Sequence, residues 1–365
     1  MKKILFILHL PPPVHGSSIV GQCVKNSTII NKSFDCRYIN LLVSRTIDEA
    51  GKPSGLKVLR FVGAWFKLLV EIITKKPDVC YLALTATSAA FYKDVLLVAL
   101  LRVFHIKRVY HLHNKGVSQN QTNKLNNLFY RFVFKNSDII LLSNQLYQDI
   151  ETFVPASRVY ICPNGIVNTI TNIEPRLFTK EKPVKILFLS NLIKSKGVFV
   201  LLDACSILQQ KGISFECNFV GAEGDINATQ FAEKVNQKQL SSKVNYLGKK
   251  FGKDKQEVFA NAEIFAFPTY FDCFGLVNLE AMQYSLPVVS TFEGGIPDIV
   301  EDGVTGFLVP KKNAEALAEK LEILINNPKL RQQMGKAGRQ KYETEFTLEI
   351  FEHRLKEILQ QVIEK

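Results

Sequence analysis

The chain has 365 residues, enough for two domains of ordinary size, and its 47% hydrophobic content is ample for two cores. No apolar run approaches the ~18 residues a membrane helix needs, and seven scattered cysteines without a Cys-x-x-Cys spacing offer no metal site and fit reduced thiols in a cytoplasm. The net charge of +12 is uneven: residues 1–163 hold 21 Lys+Arg and 9 Asp+Glu, a balance of +12, and the remainder holds 25 of each.

Such a basic first half should meet something acidic, whether anionic lipid, nucleic acid or a phosphorylated substrate. The start of the chain imitates a signal peptide. Its apolar run is too short and lacks a small-residue cleavage site, so residues 3–10 read as the first strand. Residues 11–18 form a loop containing His15, Gly16 and Ser17, and a helix follows from Ile19. A strand, a Gly/Ser loop and a helix can hold a phosphate or a sugar, or be a plain turn. The loop is not the dinucleotide pattern G-x-G-x-x-G.

Strand 34–43 comes next, then a polar loop over 44–55 and a helix over 56–74. Lys57, Arg60, Lys67 and Glu71 form a narrow polar stripe on that helix. Strand 79–84, helix 95–104 and strand 108–112 follow, the last ending in His113-Asn114-Lys115-Gly116. His111 and His113, two apart at a strand end, point to one side. Helix 124–135 and strands 139–143 and 159–162 complete a first α/β domain over residues 1–163.

On helix 124–135, a wheel of roughly 100° per residue sends Leu125, Leu128, Phe129 and Phe132 one way, as core. Lys124, Arg131 and Lys135 group to one side, and Tyr130 and Phe134 fall nearly opposite the core stripe. Exposed aromatics beside a basic stripe predict a face that docks reversibly on an anionic membrane surface. The alternative is that Tyr130 and Phe134 pack against a neighbouring loop.

Residues 164–183 have a weak pattern and read as a linker. Residues 184–346 then repeat the α/β plan, with strands at 184–189, 215–220, 244–247 and 264–267 and helices at 197–210, 229–238 and 254–261. Long helices at 313–325, 328–343 and 347–364 close the chain. Within 265–309 the order is strand, loop, helix, strand, the unit of a parallel sheet. Asp272 lies in the loop, and Glu280 lies two turns into a helix that opens near Phe274. Eight helical residues span about 12 Å. Two acids bracketing the amides of a helix N-terminus suit a nucleotide sugar, the amides taking the phosphates.

This stretch resembles the signature of retaining glycosyltransferases of family 4, which have the GT-B fold. The match runs through Asp272, seven residues and Glu280, around Phe274-Gly275-Leu276-Val277. It continues through Glu280-Ala281-Met282, Pro287-Val288-Val289, Gly294-Gly295-Ile296-Pro297 and residues 302–309. Asp272 stands where the family usually has Glu. Lys196-Gly197 matches the family's Lys-Gly, but Asn191 stands where an Arg is usual, with Lys194 as a neighbouring substitute. The turns at Gly221 and at Glu293-Gly294-Gly295 match the family's donor-side turns and equally fit plain connections.

The resemblance implies an α/β fold of two facing Rossmann-like domains with a cleft between them, the final helix, about 347–365, returning to the first domain. It implies transfer of a sugar from a nucleotide-diphosphate sugar to an acceptor hydroxyl, with retention and without a metal or other cofactor. His113, Lys196 and Asp272 would be catalytic. Gly16, Asn191, Lys196, Gly221, Phe274, Gly275, Leu276 and Glu280 would bind the donor, and His15 and Ser17 would face the acceptor. For His111 a structural role is expected. A lipid-linked acceptor in surface polysaccharide or glycolipid synthesis, at the cytoplasmic face of a membrane, would account for the basic first half. Nucleic acid is not an expected partner. The competing expectations are a catalytically inactive nucleotide-sugar scaffold and a nucleotide-sugar epimerase of the same fold.

Overall fold

The computed structural model describes residues 1–12, 15–41, 55–170 and 183–365. The chain divides into two compact units, one of Met1–Gly165 with Leu348–Lys365 and one of Ile166–Thr347.

The first unit begins with β1 (Lys3–Leu8), α1 (Gly16–Asn26), α2 (Thr28–Ser33) and β2 (Asp35–Asn40). It continues with α3 (Gly55–Thr74), β3 (Val79–Leu82), α4 (Ser88–Val103) and β4 (Lys107–His111). Then come α5 (Val117–Asn120), α6 (Lys124–Phe134), β5 (Asp138–Leu141) and β6 (Val159–Ile161). All six strands are parallel, in the order β2-β1-β3-β4-β5-β6. Their apolar runs are continuous because both faces of a parallel sheet are covered; Ile4, Leu5, Phe6 and Ile7 have no exposed surface at all.

The chain steps from β1 to β2 in one direction and from β2 through β6 in the other. Right-handed crossovers therefore put α1 and α2 on one face of the sheet and α3, α4 and α6 on the other. The reversal leaves a crevice between the carboxyl ends of β1 and β3, the place where open α/β sheets bind ligands.

The second unit contains β7 (Val184–Leu189), α7 (Val198–Gln210), β8 (Phe215–Val220), α8 (Ala228–Gln237) and β9 (Val244–Tyr246). It goes on through α9 (Gly252–Asn261), β10 (Ile264–Ala266), α10 (Leu276–Gln283), β11 (Val288–Thr291) and α11 (Ile296–Ile299). It ends with β12 (Gly306–Val309), α12 (Ala314–Asn326) and α13 (Pro328–Glu345). The sheet is again wholly parallel, in the order β12-β11-β10-β7-β8-β9. Its reversal falls between β7 and β10. The last helix, α14 (Leu348–Glu364), belongs to the first unit, where Lys107 Nζ donates to the carbonyl of Val362 at 2.7 Å.

Several expected boundaries shift. The helix expected at 95–104 begins earlier, at Ser88. Residues 44–54 of the expected polar loop and 171–182 of the expected linker lie outside the described residues. Of the described start of that linker, the part from Ile166 onward is in the second unit. Ile166 bridges to Thr347, and Gln283 Nε2 donates to the carbonyl of Val167 at 2.7 Å.

The reading of helix 124–135 is inverted. Tyr130 and Phe134 are core residues, 1% and 2% exposed, while Leu125 and Leu128 face outward. Tyr130 stacks on Phe91 at 4.6 Å and donates its hydroxyl to the carbonyl of Ala86 at 2.7 Å. Phe134 stacks on Phe153. Both stripes of α6 are apolar, so the partners brought by α4 and the segment after β5 decide which one is buried. Lys124, Arg131 and Lys135 remain exposed as expected. The membrane face built on Tyr130 and Phe134 therefore does not exist.

Candidate active site

In the first unit the loops after β1, β3 and β4 meet at the sheet reversal. They line a pocket of about 260 Å³ with His9, His15 and Ser17, Thr85, and His113 and Asn114; α4 adds Lys93 and Asp94 and α3 adds Phe61. His15 caps α1, and Ser17 Oγ lies 3.1 Å from its Nδ1 and 3.4 Å from His9 Nδ1. Gly16 is the first residue of that helix.

The pocket's histidines are neutral near physiological pH. Burial, then the charges of His15 and Lys93, pushes His9 down to about 4. Burial, then His9 and His15, pushes His113 down to about 3. Its buried Nδ1 has no hydrogen-bond partner among the described residues. A neutral imidazole can donate and accept at once, which suits it to a hydroxyl ligand. Burial pushes Asp94 up to about 7, although its carboxylate accepts from the Thr85 amide at 2.8 Å. Asp94 therefore takes up its proton well above the usual carboxylate range. His111 is buried against the ring of Phe351 and meets Tyr81 Oη through Nδ1 at 2.5 Å, a packing role.

In the second unit the reversal brings together the loops after β7 and β10. Lys196, from the first loop, places Nζ 2.6 Å from Oδ2 of Asp272 in the second, and donates to the carbonyl of Phe271 at 3.2 Å. Oδ1 of Asp272 accepts from the amides of Phe274 and Gly275 at 3.1 and 2.9 Å. Those two amides, expected to be free for phosphate, are thus taken by the carboxylate two and three residues earlier. The Asp272 amide in turn donates to Glu293 at 3.0 Å. Glu293 is 2% exposed and pairs with Lys311 at 2.9 Å.

The backbone of Gly197 explains why a glycine follows Lys196. Its φ is +85°, and a Cβ would stand 2.1 Å from the carbonyl oxygen of Pro268, at the root of the Asp272 loop. On α10, Glu280 meets Lys255 of α9 at 2.6 Å. Asn191 turns away from this cluster, its Oδ1 accepting from the Ala222 amide at 3.2 Å. It fastens the turn at Gly221, whose missing Cβ would otherwise lie 1.9 Å from the carbonyl oxygen of Ser190. Asn191 and Gly221 thus act on each other.

Residues 169–341 match the family model for glycosyl transferases group 1. The match falls within the second unit, which resembles group 1 glycosyl transferases. Among its relatives is the amylovoran biosynthesis glycosyltransferase AmsK of Erwinia amylovora, 30% identical over 270 residues, covering 72% of this chain and 66% of that one. The capsular polysaccharide biosynthesis glycosyltransferase CapM of Staphylococcus aureus is 31% identical over 45% of this chain and 42% of its own. The chain spans less than two thirds of the length of these curated relatives. Among solved structures, Anabaena HepE in complex with UDP superposes with a TM-score of 0.78 at 17% identity, over 98% of this chain and 100% of that one. The fold, two parallel-sheet Rossmann-like domains, is thus shared with that structure.

Within the second unit the structure joins Lys196, Asp272, Phe274 and Gly275 into one cluster and ties Glu280 separately to Lys255. In the first unit it joins His15, Ser17 and His113. The sequence reading missed His9, Lys93 and Asp94 there, and Lys255 in the second unit; it named the turn at Glu293 for its amides but not the Glu293 carboxylate. Asp94 had a legible signal, an acid embedded among apolar residues. His9 had its position at the end of the first strand, beside a sheet reversal. Lys255 and the carboxylate of Glu293 had none, since only the fold brings them to Glu280 and Asp272.

Proposed function

We propose that this chain is a retaining glycosyltransferase that moves a sugar from a nucleotide-diphosphate sugar to an acceptor hydroxyl, in polysaccharide or glycolipid synthesis on a lipid-linked acceptor. The observation that carries the reading is the Lys196–Asp272 pair at the sheet reversal of the second unit. The donor is assigned to that unit. Lys196 exchanges Asp272 for the diphosphate and stabilises the charge that develops as the sugar leaves. Asp272, still held by the Phe274 and Gly275 amides, then offers Oδ2 to a sugar hydroxyl, and Glu280 accepts from the ribose.

The acceptor is assigned to the histidine-lined pocket of the first unit. In the transfer, the bond from the sugar's anomeric carbon to the diphosphate breaks, the bond to the acceptor oxygen forms, and the acceptor proton passes to the departing diphosphate. Lys196 supplies the positive charge, so the scheme needs no metal ion. The relatives named for amylovoran and capsular polysaccharide support the pathway class, and the UDP in the Anabaena neighbour supports the donor class.

The test is calorimetry with a panel of nucleotide sugars beginning with UDP-glucose, followed by nucleoside diphosphate release with and without a membrane lipid extract. Binding together with extract-dependent release is the expected result. Binding without release would make the chain an inactive scaffold. Conversion of the donor to an isomer without acceptor would make it an epimerase.

A further inference from the structure

The outer helical layer of the first unit is unusually apolar for a surface. Of the twenty large hydrophobic side chains exposed among the described residues, seven stand on α3, three on α4 and two on α6. These three helices share one face of the sheet. Scattered exposed apolar residues are ordinary, but a contiguous patch marks something that covers it.

The helix α3 shows how the patch is built. At roughly 100° per residue, its buried side is a narrow arc holding Leu68 and Ile72. Leu59, Phe66 and Ile73, exposed by 68, 55 and 63%, lie on the outer arc with Val62 and Val70, and exposed Val58 flanks the buried side. Lys57, Arg60, Lys67 and Glu71 line one edge. Arg37 already neutralises Glu71. A helix that is apolar on both its core side and its outer side, with cations along one edge, has the pattern of an interfacial helix.

We propose that this α3 face, flanked by α4 and α6, docks the protein flat on an anionic lipid bilayer. Charge selects this occupant over a second copy of the chain. The exposed Lys67 of α3 and the exposed Lys124, Arg131 and Lys135 of α6 share one sign, as does the +12 of residues 1–163. Two such faces would repel each other, whereas an anionic surface neutralises both. Docking is peripheral, because no helix among the described residues is long and apolar enough to cross a membrane. The same helix lends Phe61 to the histidine-lined pocket, so a docked α3 carries that pocket beside the bilayer. The inference deepens the reading of a lipid-linked acceptor, but its test needs no turnover, so each can fail without the other.

The experiment is flotation of the full chain with phosphatidylcholine vesicles, with and without phosphatidylglycerol, at low and high salt. Wild type is expected to float with the anionic vesicles at low salt and to be released by high salt. Leu59→Gln/Phe66→Gln/Ile73→Gln should lower the floated fraction at least tenfold, with an unchanged thermal midpoint because the three side chains face water. Phe66→Gln alone, expected to float less than wild type, serves if the triple variant does not fold. Wild type that stays at the bottom, a folded variant that floats as wild type does, or equal flotation on neutral vesicles would overturn the proposal. So would sedimentation equilibrium showing a lipid-free homodimer that the triple variant splits.

Discussion

Lys196 and Asp272 come from the loops after β7 and β10, the two strands on either side of the sheet reversal, and their side chains meet at 2.6 Å. One carboxylate oxygen is given to the lysine and the other to the amides of Phe274 and Gly275. A single acid thus couples the cation to the start of α10. Lys196→Ala should lower kcat by about 100- to 1000-fold, the ~2.7–4 kcal/mol of one lost oxyanion donor. Asp272→Asn keeps an oxygen for the two amides but loses the ion pair. It should retain nucleotide affinity while turnover falls. Because the two groups touch, the double variant should lose less than the sum of the single losses. Steady-state kinetics on the four proteins checks this, and strict additivity would mean that the pair does not act as a unit.

Glu280 is held by Lys255 at 2.6 Å. Glu280→Gln should weaken UDP binding by roughly 1.5–3 kcal/mol, the worth of a charge-assisted hydrogen bond. Lys255→Ala leaves the carboxylate in place and should have a smaller effect. Calorimetry with UDP reads both. Equal losses would assign the nucleotide contact to the lysine instead.

Gly197 and Gly212 both have positive φ, +85° and +71°, but only Gly197 has a neighbour in the way. Gly212→Ala should cost about 1–2 kcal/mol, the left-handed backbone penalty alone. Gly197→Ala adds a clash with Pro268 and should cost more, displacing Lys196 and reducing activity as well. Thermal midpoints of the two variants separate the backbone penalty from the contact.

Asp94 is pushed up to about 7 by burial, so the folded protein holds a proton that the unfolded chain releases near 3.8. This contribution to stability is full below about pH 4 and is lost as pH rises toward 7. His9 and His113, pushed down to about 4 and 3, work the other way, with stability lost as pH falls from 6.5 through those values. Asp94→Asn keeps an acceptor for the Thr85 amide and removes only the first effect. The stability difference, variant minus wild type, should therefore grow between pH 4 and 7 and level off above. Chemical denaturation across that range measures it, and a flat difference would mean that Asp94 titrates normally.

The strands were legible because parallel strands buried on both faces leave continuous apolar runs, as in residues 4–8 and 186–189. The Lys196–Asp272 cluster was legible because its residues sit in two short motifs, although 76 positions apart. The burial of Tyr130 was not legible. Both stripes of α6 are apolar, and the choice between them rests on Phe91, Phe153 and the Ala86 carbonyl, which only the sheet order brings near. His9 was hidden for the same reason. A lone histidine after a strand has no spacing to read until the register of β1, β3 and β4 sets it beside His113. The amides of Phe274 and Gly275 looked free because an acid two and three residues earlier can curl back onto them, a loop geometry the pattern does not encode.

The most direct measurement of sugar transfer is nucleoside diphosphate release from the tightest-binding nucleotide sugar, in the presence of membrane lipid extract, by wild type and by Lys196→Ala. Extract-dependent release by wild type, reduced at least 100-fold in a folded Lys196→Ala variant, ~2.7 kcal/mol or more of lost stabilisation, is the predicted result. Release at the wild-type rate by Lys196→Ala, or a wild type that binds no nucleotide sugar, would contradict it.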